Sequence, residues 1–139
     1  MQNILFDADA LVALTKRDDS NHLRAVRIYQ ELKSKITNFF LSPFTVAEAT
    51  TVLSNKYSHE RAKEFLKEMR SISLPVLELE KESSLPDDWF NKQNKKGTSY
   101  FDCYNMALLE RYKNQINAIF SFDRVYKRNG FTIIEDLKI

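Results

Sequence analysis

The sequence lacks the features of a membrane-spanning, a disulfide-stabilised or a zinc-binding protein. No apolar run approaches the roughly 20 residues that cross a bilayer. The first residues contain neither a basic stretch nor a long apolar run, so we expect no signal peptide. The one cysteine, Cys103, has no partner for an internal disulfide, which favours a cytoplasmic protein. With two histidines, the chain offers no His-Glu-x-x-His motif and no Cys/His cluster for zinc.

What the sequence does contain is the composition of a folded domain. Hydrophobic residues make up 43% and charged residues 29%, which is typical of a globular chain. A length of 139 residues is enough to bury a core without disulfides or a structural metal. We therefore predict one domain over residues 1–139. A net charge of +2 is too small to identify a nucleic-acid partner.

Short apolar segments alternate with amphipathic segments along the chain. The predicted strands are Asn3–Phe6, Phe39–Leu41, Pro75–Leu79, Ala118–Phe122 and Phe131–Ile134. The predicted helices are Ala8–Lys16, Leu23–Leu32, one from Pro43 to about Tyr57 with Ser42 as N-cap, one after the N-cap Ser58, Glu82–Lys96 and about Tyr100–Tyr112. Strands separated by helices predict an α/β fold with a mainly parallel central sheet and helices on both faces.

Four acidic residues each end or follow a short apolar run at separate places in the chain. They are Asp7, Glu48, Asp102 and Asp123. An acid beside apolar segments is costly unless something neutralises it. Because ligands of open α/β sheets bind beyond the carboxyl ends of the strands, we expect the four acids to converge there. Carboxylate oxygens are the ligands that Mg²⁺ and Mn²⁺ prefer.

Each acid also has a purely structural interpretation. Ser99 and Asp102 have the spacing of a cap pair at a helix start, and Thr45 and Glu48 have the spacing of a capping box. Asp123 can cap the turn that follows it. Capping and metal binding are compatible, so both interpretations stay open.

Four motifs give the chain a resemblance to a known family. They are Phe6-Asp7-Ala8-Asp9, Ser42-Pro43 followed by Glu48, Ser99-Tyr100-Phe101-Asp102, and Ser121-Phe122-Asp123-Arg124-Val125-Tyr126. At these residues the chain resembles the PIN-domain ribonucleases, and especially the VapC toxins of bacterial and archaeal toxin–antitoxin pairs. The resemblance spans nearly the whole chain in the family's order. Asp9 stands where many relatives have Asn.

The resemblance implies a divalent-metal-dependent endoribonuclease that hydrolyses RNA phosphodiester bonds with Mg²⁺ or Mn²⁺. It implies that the catalytic and metal-binding residues are Asp7, Glu48, Asp102 and Asp123, with Asp9, Ser99 and Ser121 as auxiliary residues. Asp7 and Asp102 are the first candidates for direct ligands. Glu48 and Asp123 either bind a second metal, orient the attacking water or act through bound water. The implied partners are an RNA substrate, a small antitoxin whose C-terminal segment covers the active groove, and a second copy in a homodimer.

Basic residues near these motifs are either contacts for RNA phosphates or ordinary solvated charges. They are Lys16, Arg17, Lys95, Lys96, Arg124, Lys127 and Arg128. For a protein partner, we expect apolar side chains that one small domain does not fully bury. Our candidates are Tyr57, Phe65, Met69 and Trp89.

Two other functions stay open. Asp7-Ala8-Asp9 also matches the start of haloacid-dehalogenase-type phosphohydrolases, in which the first Asp forms an aspartyl-phosphate. That class usually has Thr or Val where this chain has Ala10, and a covalent phosphoenzyme would decide for it. The other alternative is a PIN-like module that binds RNA or protein without catalysis. The intact set of acids argues against it, and absence of divalent-metal binding would favour it.

Overall fold

Three parallel strands lie at the centre of the fold in the computed structural model, which describes residues 1–139. In chain order the elements are β1 (Gln2–Phe6), α1 (Ala8–Thr15), α2 (His22–Lys33), β2 (Thr37–Phe40), α3 (Thr45–Lys56), α4 (His59–Ile72), α5 (Leu85–Lys92), α6 (Tyr100–Arg111), β3 (Ala118–Phe120) and α7 (Val125–Arg128), followed by a 3₁₀ turn (Ile134–Asp136). The strand order is β2-β1-β3, and Ile4 pairs with Phe39 on one side and Ala118 on the other.

The sheet separates two apolar cores, because successive side chains of a strand point to opposite faces. Ile4, Phe6 and Phe120 pack with buried residues of α1 to α4. Leu5 and Ile119 pack on the other face with buried residues of α6 and α7. This arrangement confirms the predicted α/β fold with helices on both faces of a parallel sheet.

The predicted strand Pro75–Leu79 is wrong. This segment makes a single parallel bridge, to Leu41. Beyond the bridge its backbone bonds to α6: the Tyr104 hydroxyl accepts a hydrogen bond from the Leu79 N–H at 3.2 Å, and the Tyr112 hydroxyl donates to the Glu78 carbonyl at 2.9 Å. A tyrosine of α6 and the tyrosine at its C-cap therefore satisfy backbone groups that a fourth strand would have used in the sheet.

The predicted strand Phe131–Ile134 is also wrong. It contributes one bridge, between Ile119 and Ile133. The Phe131 N–H donates to the Tyr126 carbonyl of α7, and the chain enters the 3₁₀ turn at Ile134. The segment is thus held at both ends by turns and is too short for a ladder.

Some helix boundaries differ from the prediction. α3 begins at Thr45 instead of Pro43, because the Ser42 hydroxyl accepts the Phe44 N–H at 3.1 Å and closes a turn before the helix. α5 covers Leu85–Lys92, the middle of the predicted Glu82–Lys96. No helix in the chain is both long enough and apolar enough to cross a bilayer.

Candidate active site

The carboxyl ends of β1 and β3 bring two polar residues to the same edge of the sheet. Asp7 follows β1 and Ser121 follows β3, and both are buried. The Asp7 N–H donates to the Phe120 carbonyl at 3.0 Å, which ties the two strand ends together. Asp7 also caps α1, since its Oδ1 accepts the Ala8 N–H at 2.8 Å. Its carboxylate is therefore held at the point where two strands and a helix meet.

Three side chains from other parts of the fold bind the Asp7 carboxylate. Its Oδ2 accepts from the Ser121 hydroxyl at 2.9 Å and from the Tyr126 hydroxyl at 3.0 Å. Its Oδ1 accepts from Asn105 Nδ2 at 3.2 Å. Burial raises the pKa of Asp7, the charge of Asp123 raises it further, and the hydrogen bonds from Ser121 and Tyr126 oppose that rise. The carboxylate is oriented by its neighbours but is not paired with a positive charge.

Asp102 lies in the first turn of α6 and is joined to Asp7 through Tyr126. The Tyr126 hydroxyl, 3.0 Å from Asp7 Oδ2, is 3.1 Å from Asp102 Oδ1. Burial, followed by the charges of Asp7 and Asp123, raises the pKa of Asp102 to about 7. The predicted cap pair forms only in part: the Ser99 hydroxyl accepts the Phe101 N–H at 3.2 Å, whereas the Asp102 carboxylate contacts Tyr126.

Glu48 approaches the same place from the first turn of α3. Burial, followed by the charges of Asp7 and Asp102, raises its pKa to about 7, so its carboxylate lies within electrostatic reach of both. The capping box with Thr45 does not form, since the Thr45 hydroxyl accepts the Ser42 N–H at 3.1 Å and no hydrogen bond lowers the pKa of Glu48. Glu48 is thus a half-buried acid without a structural partner.

Asp9 and Asp123 flank this group through Ser121. Asp9 Oδ2 accepts the Phe122 N–H at 2.9 Å and lies 3.2 Å from the Ser121 hydroxyl, while its Oδ1 is buried with no partner. Burial, followed by the charge of Asp7, raises the pKa of Asp9 well above its usual value. Asp123 is exposed, and its Oδ1 accepts the Val125 N–H at 2.9 Å. It caps the turn before Tyr126, as the structural interpretation predicted.

We call Asp7, Asp9, Glu48, Asp102 and Asp123 the acidic cluster. No ion pair in the chain involves any of its members. The charge of at least one other member raises the pKa of Asp7, Asp9, Glu48 and Asp102, and such repulsion is unfavourable unless a proton or a cation offsets it. Because the donors are all carboxylate oxygens, the complementary ion is a hard divalent cation such as Mg²⁺ or Mn²⁺.

The described conformation does not contain a complete ligand set for a metal ion. No three Asp, Glu, His or Cys side chains lie close enough together to hold one. The pair bridged by Tyr126, Asp7 and Asp102, supplies two carboxylates. This number fits Mg²⁺, which usually keeps several waters and takes one or two carboxylates.

Sequence reasoning gave no role to two residues that build the site: Asn105, which it did not name, and Tyr126, which it named only as the end of the fourth motif. Asn105 Nδ2 donates to Asp7 Oδ1 and also to the Tyr126 hydroxyl, at 3.1 Å. The sequence does contain a signal for Asn105, since it lies one helical turn after Asp102 and opens the apolar run Met-Ala-Leu-Leu. A buried amide in such a run requires hydrogen-bond partners.

The basic residues proposed to contact RNA fall into two groups. Lys16 pairs with Asp18 at 2.6 Å and Lys127 pairs with Asp136 at 3.1 Å. The others are exposed and form no ion pair: Arg17, Lys95, Lys96, Arg124 and Arg128. These five side chains are therefore free to contact the phosphates of an RNA strand.

The expected exposure of apolar residues is wrong at two positions. Phe65 and Met69 are buried in the core beneath α4, whereas Tyr57 is 40% exposed.

An unpredicted pair of exposed aromatic rings lies beside the acids instead. Phe44, before α3, and Phe101, next to Asp102, have ring centroids 5.4 Å apart.

Comparisons with known proteins agree with this geometry. Residues 4–132 match the family model described as PIN domain. The sequence has no match among curated proteins. Among solved structures, the fold is similar to that of VapC20 from Mycobacterium tuberculosis, described as a sarcin-ricin loop cleaving toxin, with a TM-score of 0.74, 19% sequence identity and coverage of 98% of this chain and 99% of that chain. At this identity the similarity shows a shared fold.

Proposed function

Because the chain belongs to the PIN-domain family, we propose that it is a divalent-metal-dependent endoribonuclease and the VapC-type toxin of a toxin–antitoxin pair. The observation that carries the proposal is the pair of carboxylates, Asp7 and Asp102, bridged by Tyr126 and without any basic side chain in an ion pair with them. The similar fold of VapC20, described as a sarcin-ricin loop cleaving toxin, supports RNA as the substrate.

We assign the binding of Mg²⁺ or Mn²⁺ to Asp7 and Asp102, with Asp123 acting through bound water or a second ion. Such an ion, when bound, makes water more acidic and neutralises charge on the phosphoryl oxygens. Ser121 and Asn105 hold the Asp7 carboxylate in place. Glu48, the acid without a structural partner, orients the attacking water and accepts its proton.

Incubation with total RNA tests this proposal directly. We expect discrete products from the wild-type chain with Mg²⁺ or Mn²⁺, and none with EDTA or from Asp7→Asn. Asp88→Asn is a matched control, because Asp88 is an exposed acid in the first turn of α5. Equal cleavage by Asp7→Asn and wild type would refute the assignment of the site, and cleavage in EDTA would refute the requirement for metal.

The phosphohydrolase alternative has no specific support. Asp7, which would be its nucleophile, is followed by Ala8-Asp9-Ala10, and that class usually has Thr or Val at the position of Ala10. A module that only binds RNA or protein would gain nothing from the repulsion between the carboxylates of the acidic cluster. Calorimetry with Mn²⁺ separates it from the nuclease, because a binding-only module would give no metal-dependent heat at the cluster.

We further propose a small antitoxin partner, a homodimer and a cytoplasmic location. The buried free thiol of Cys103 suits a reducing compartment. The rings of Phe44 and Phe101 are 37% and 43% accessible. They support a protein-binding surface, which we assign to the contact between the two copies of the homodimer. Sedimentation tests the homodimer: wild type should sediment as a dimer and Phe101→Arg as a monomer. A strictly monomeric wild type at high micromolar concentration would contradict the homodimer, and the lack of a small partner encoded beside the gene would contradict the antitoxin.

A further inference from the structure

Helices α1 and α3 present the same order of side chains to the space between them. From the start of each helix to its end, α1 and its C-cap supply Asp9, Val12 and Lys16, and α3 supplies Glu48, Val52 and Lys56. Spacings of three and four residues place each set along one helix face. With Ala8, Asp19 and Asn21 these side chains line a cavity of about 340 Å³, which we call the trough. It has Asp9 and Glu48 at one end, valines along its length, and the lysines together with Asp19 at the other end.

The acidic end of the trough is continuous with the acidic cluster, since Asp9 and Glu48 belong to both. Lys56 lies eight residues after Glu48 on α3, or about 12 Å along the helix at a rise of 1.5 Å per residue. That distance is about three stacked nucleotides of one strand, at about 3.4 Å each. A strand whose cleaved phosphate lies at the acidic cluster therefore reaches the lysines within a few nucleotides.

The lysine end of the trough has a free cation and a free amide. Lys56 is exposed and forms no ion pair. Lys16 is held near the Tyr57 ring, 5.8 Å from its centroid, and its partner Asp18 is 75% exposed. The Asn21 backbone N–H donates to Asp19 Oδ1 at 2.8 Å, and Asn21, whose side chain makes no capping hydrogen bond, lines the trough.

We propose that the trough binds the RNA segment next to the cleaved phosphate. Lys56, assisted by Lys16, binds a flanking phosphate, and the Asn21 amide binds a ribose hydroxyl or a base edge. Val12 and Val52 contact the apolar face of the nucleotide between them. This inference rests on the proposed function, and it assigns the strand to the α1–α3 side of the acidic cluster instead of the side of Arg124 and Arg128.

Binding and kinetics of Lys56→Ala test the trough, with Lys113→Ala as the matched control. Lys113 is an exposed lysine two residues beyond α6, whose last residue, Arg111, lies about 14 Å along the helix from Asp102 at 1.5 Å per residue. The probe is a short fluorescein-labelled RNA that spans the cleavage position found with total RNA. Anisotropy at several KCl concentrations, in the Asp7→Asn background with Mn²⁺, measures affinity without cleavage. Cleavage of the same RNA in the wild-type background gives KM and kcat.

We expect Lys56→Ala to weaken RNA binding roughly three- to tenfold and to lower the slope of log K against log [KCl] by about 0.7, the value for one phosphate contact on a single strand. KM should rise with kcat unchanged, and Lys113→Ala should behave as wild type. If wild type cleaves RNA but Lys56→Ala and Lys113→Ala are equivalent, the trough proposal is overturned and the proposed function stands. If wild type cleaves no RNA, both are overturned.

Discussion

Asn105 lies one helical turn after Asp102 on α6, and both side chains meet the hydroxyl of Tyr126 at 3.1 Å. Asn105 donates to the phenol oxygen, so the single phenolic hydrogen is directed towards a carboxylate, either Asp102 or Asp7. This arrangement sets the spacing of the two carboxylates from within the core. Two uncharged residues, Asn105 and Tyr126, therefore position the carboxylates without being metal ligands themselves.

Tyr126→Phe should weaken both the fold and cation binding. The ring remains to fill the core, but Asn105 and the two carboxylates lose a buried partner, which should cost roughly 1–3 kcal/mol in the free energy of unfolding. Loss of a hydrogen bond that favours ionised Asp7 and Asp102 should also reduce Mn²⁺ affinity. Urea unfolding and Mn²⁺ calorimetry measure the two effects.

Tyr112→Phe is the control for that substitution. Its hydroxyl also makes a hydrogen bond, to the Glu78 carbonyl at 2.9 Å, but at the far end of α6. It should lose stability without any change in Mn²⁺ affinity. Unaltered Mn²⁺ affinity in Tyr126→Phe would show that the tyrosine only supports packing.

The metal-free protein should lose stability as the pH rises from about 5 to 8. The folded-state pKa values of Glu48 and Asp102 are both about 7, raised from 4.5 and 3.8. Groups with raised pKa values stabilise the fold most when protonated, and that contribution disappears as the pH rises through the folded pKa. Thermal scans in EDTA across this range should show a falling Tm, with a flatter profile in the double variant Glu48→Gln/Asp102→Asn. A Tm that rises with pH in wild type would contradict the clustering of these acids.

Asp102→Asn should separate metal binding from helix capping. Without metal, removing one of several like charges should raise the Tm or leave it level. In wild type, Mn²⁺ at ~100 times its Kd should stabilise the fold by about 2.7 kcal/mol, and the variant should lose most of that shift. A residue that only caps α6 would instead lower the metal-free Tm slightly when replaced and leave the Mn²⁺ response intact. Asp88→Asn, in the first turn of α5, should show that second pattern.

Asp9→Asn should stabilise the metal-free protein at neutral pH. The Oδ1 atom of Asp9 is buried without a partner, and burial and the charge of Asp7 raise the pKa of this acid. An uncharged amide of the same shape removes the repulsion and can still accept the Phe122 N–H through its oxygen. Thermal scans in EDTA at neutral pH should give a higher Tm than wild type. A lower Tm would indicate that the negative charge of Asp9 is needed by the fold.

The sequence predicted the positions of the acids better than the edges of the sheet. Asp7 and Asp102 could be placed because an acid after a buried strand and an acid at a helix start have local signals. Pro75–Leu79 could not be excluded as a strand, because its backbone partners are hydroxyls of Tyr104 and Tyr112, about 25 to 34 residues away. Such long-range hydrogen bonds have no local pattern in the sequence.

The division of the core by the sheet has a consequence for the way the protein opens. Glu48 is carried by α3 in one layer and Asp102 by α6 in the other, so divalent cations bound at the acidic cluster would link the two layers. Amide hydrogen exchange would then slow in both layers when Mn²⁺ is added, including at residues far from any ligand. An antitoxin bound over the acids would meet a more rigid protein when the ion is present than when it is absent.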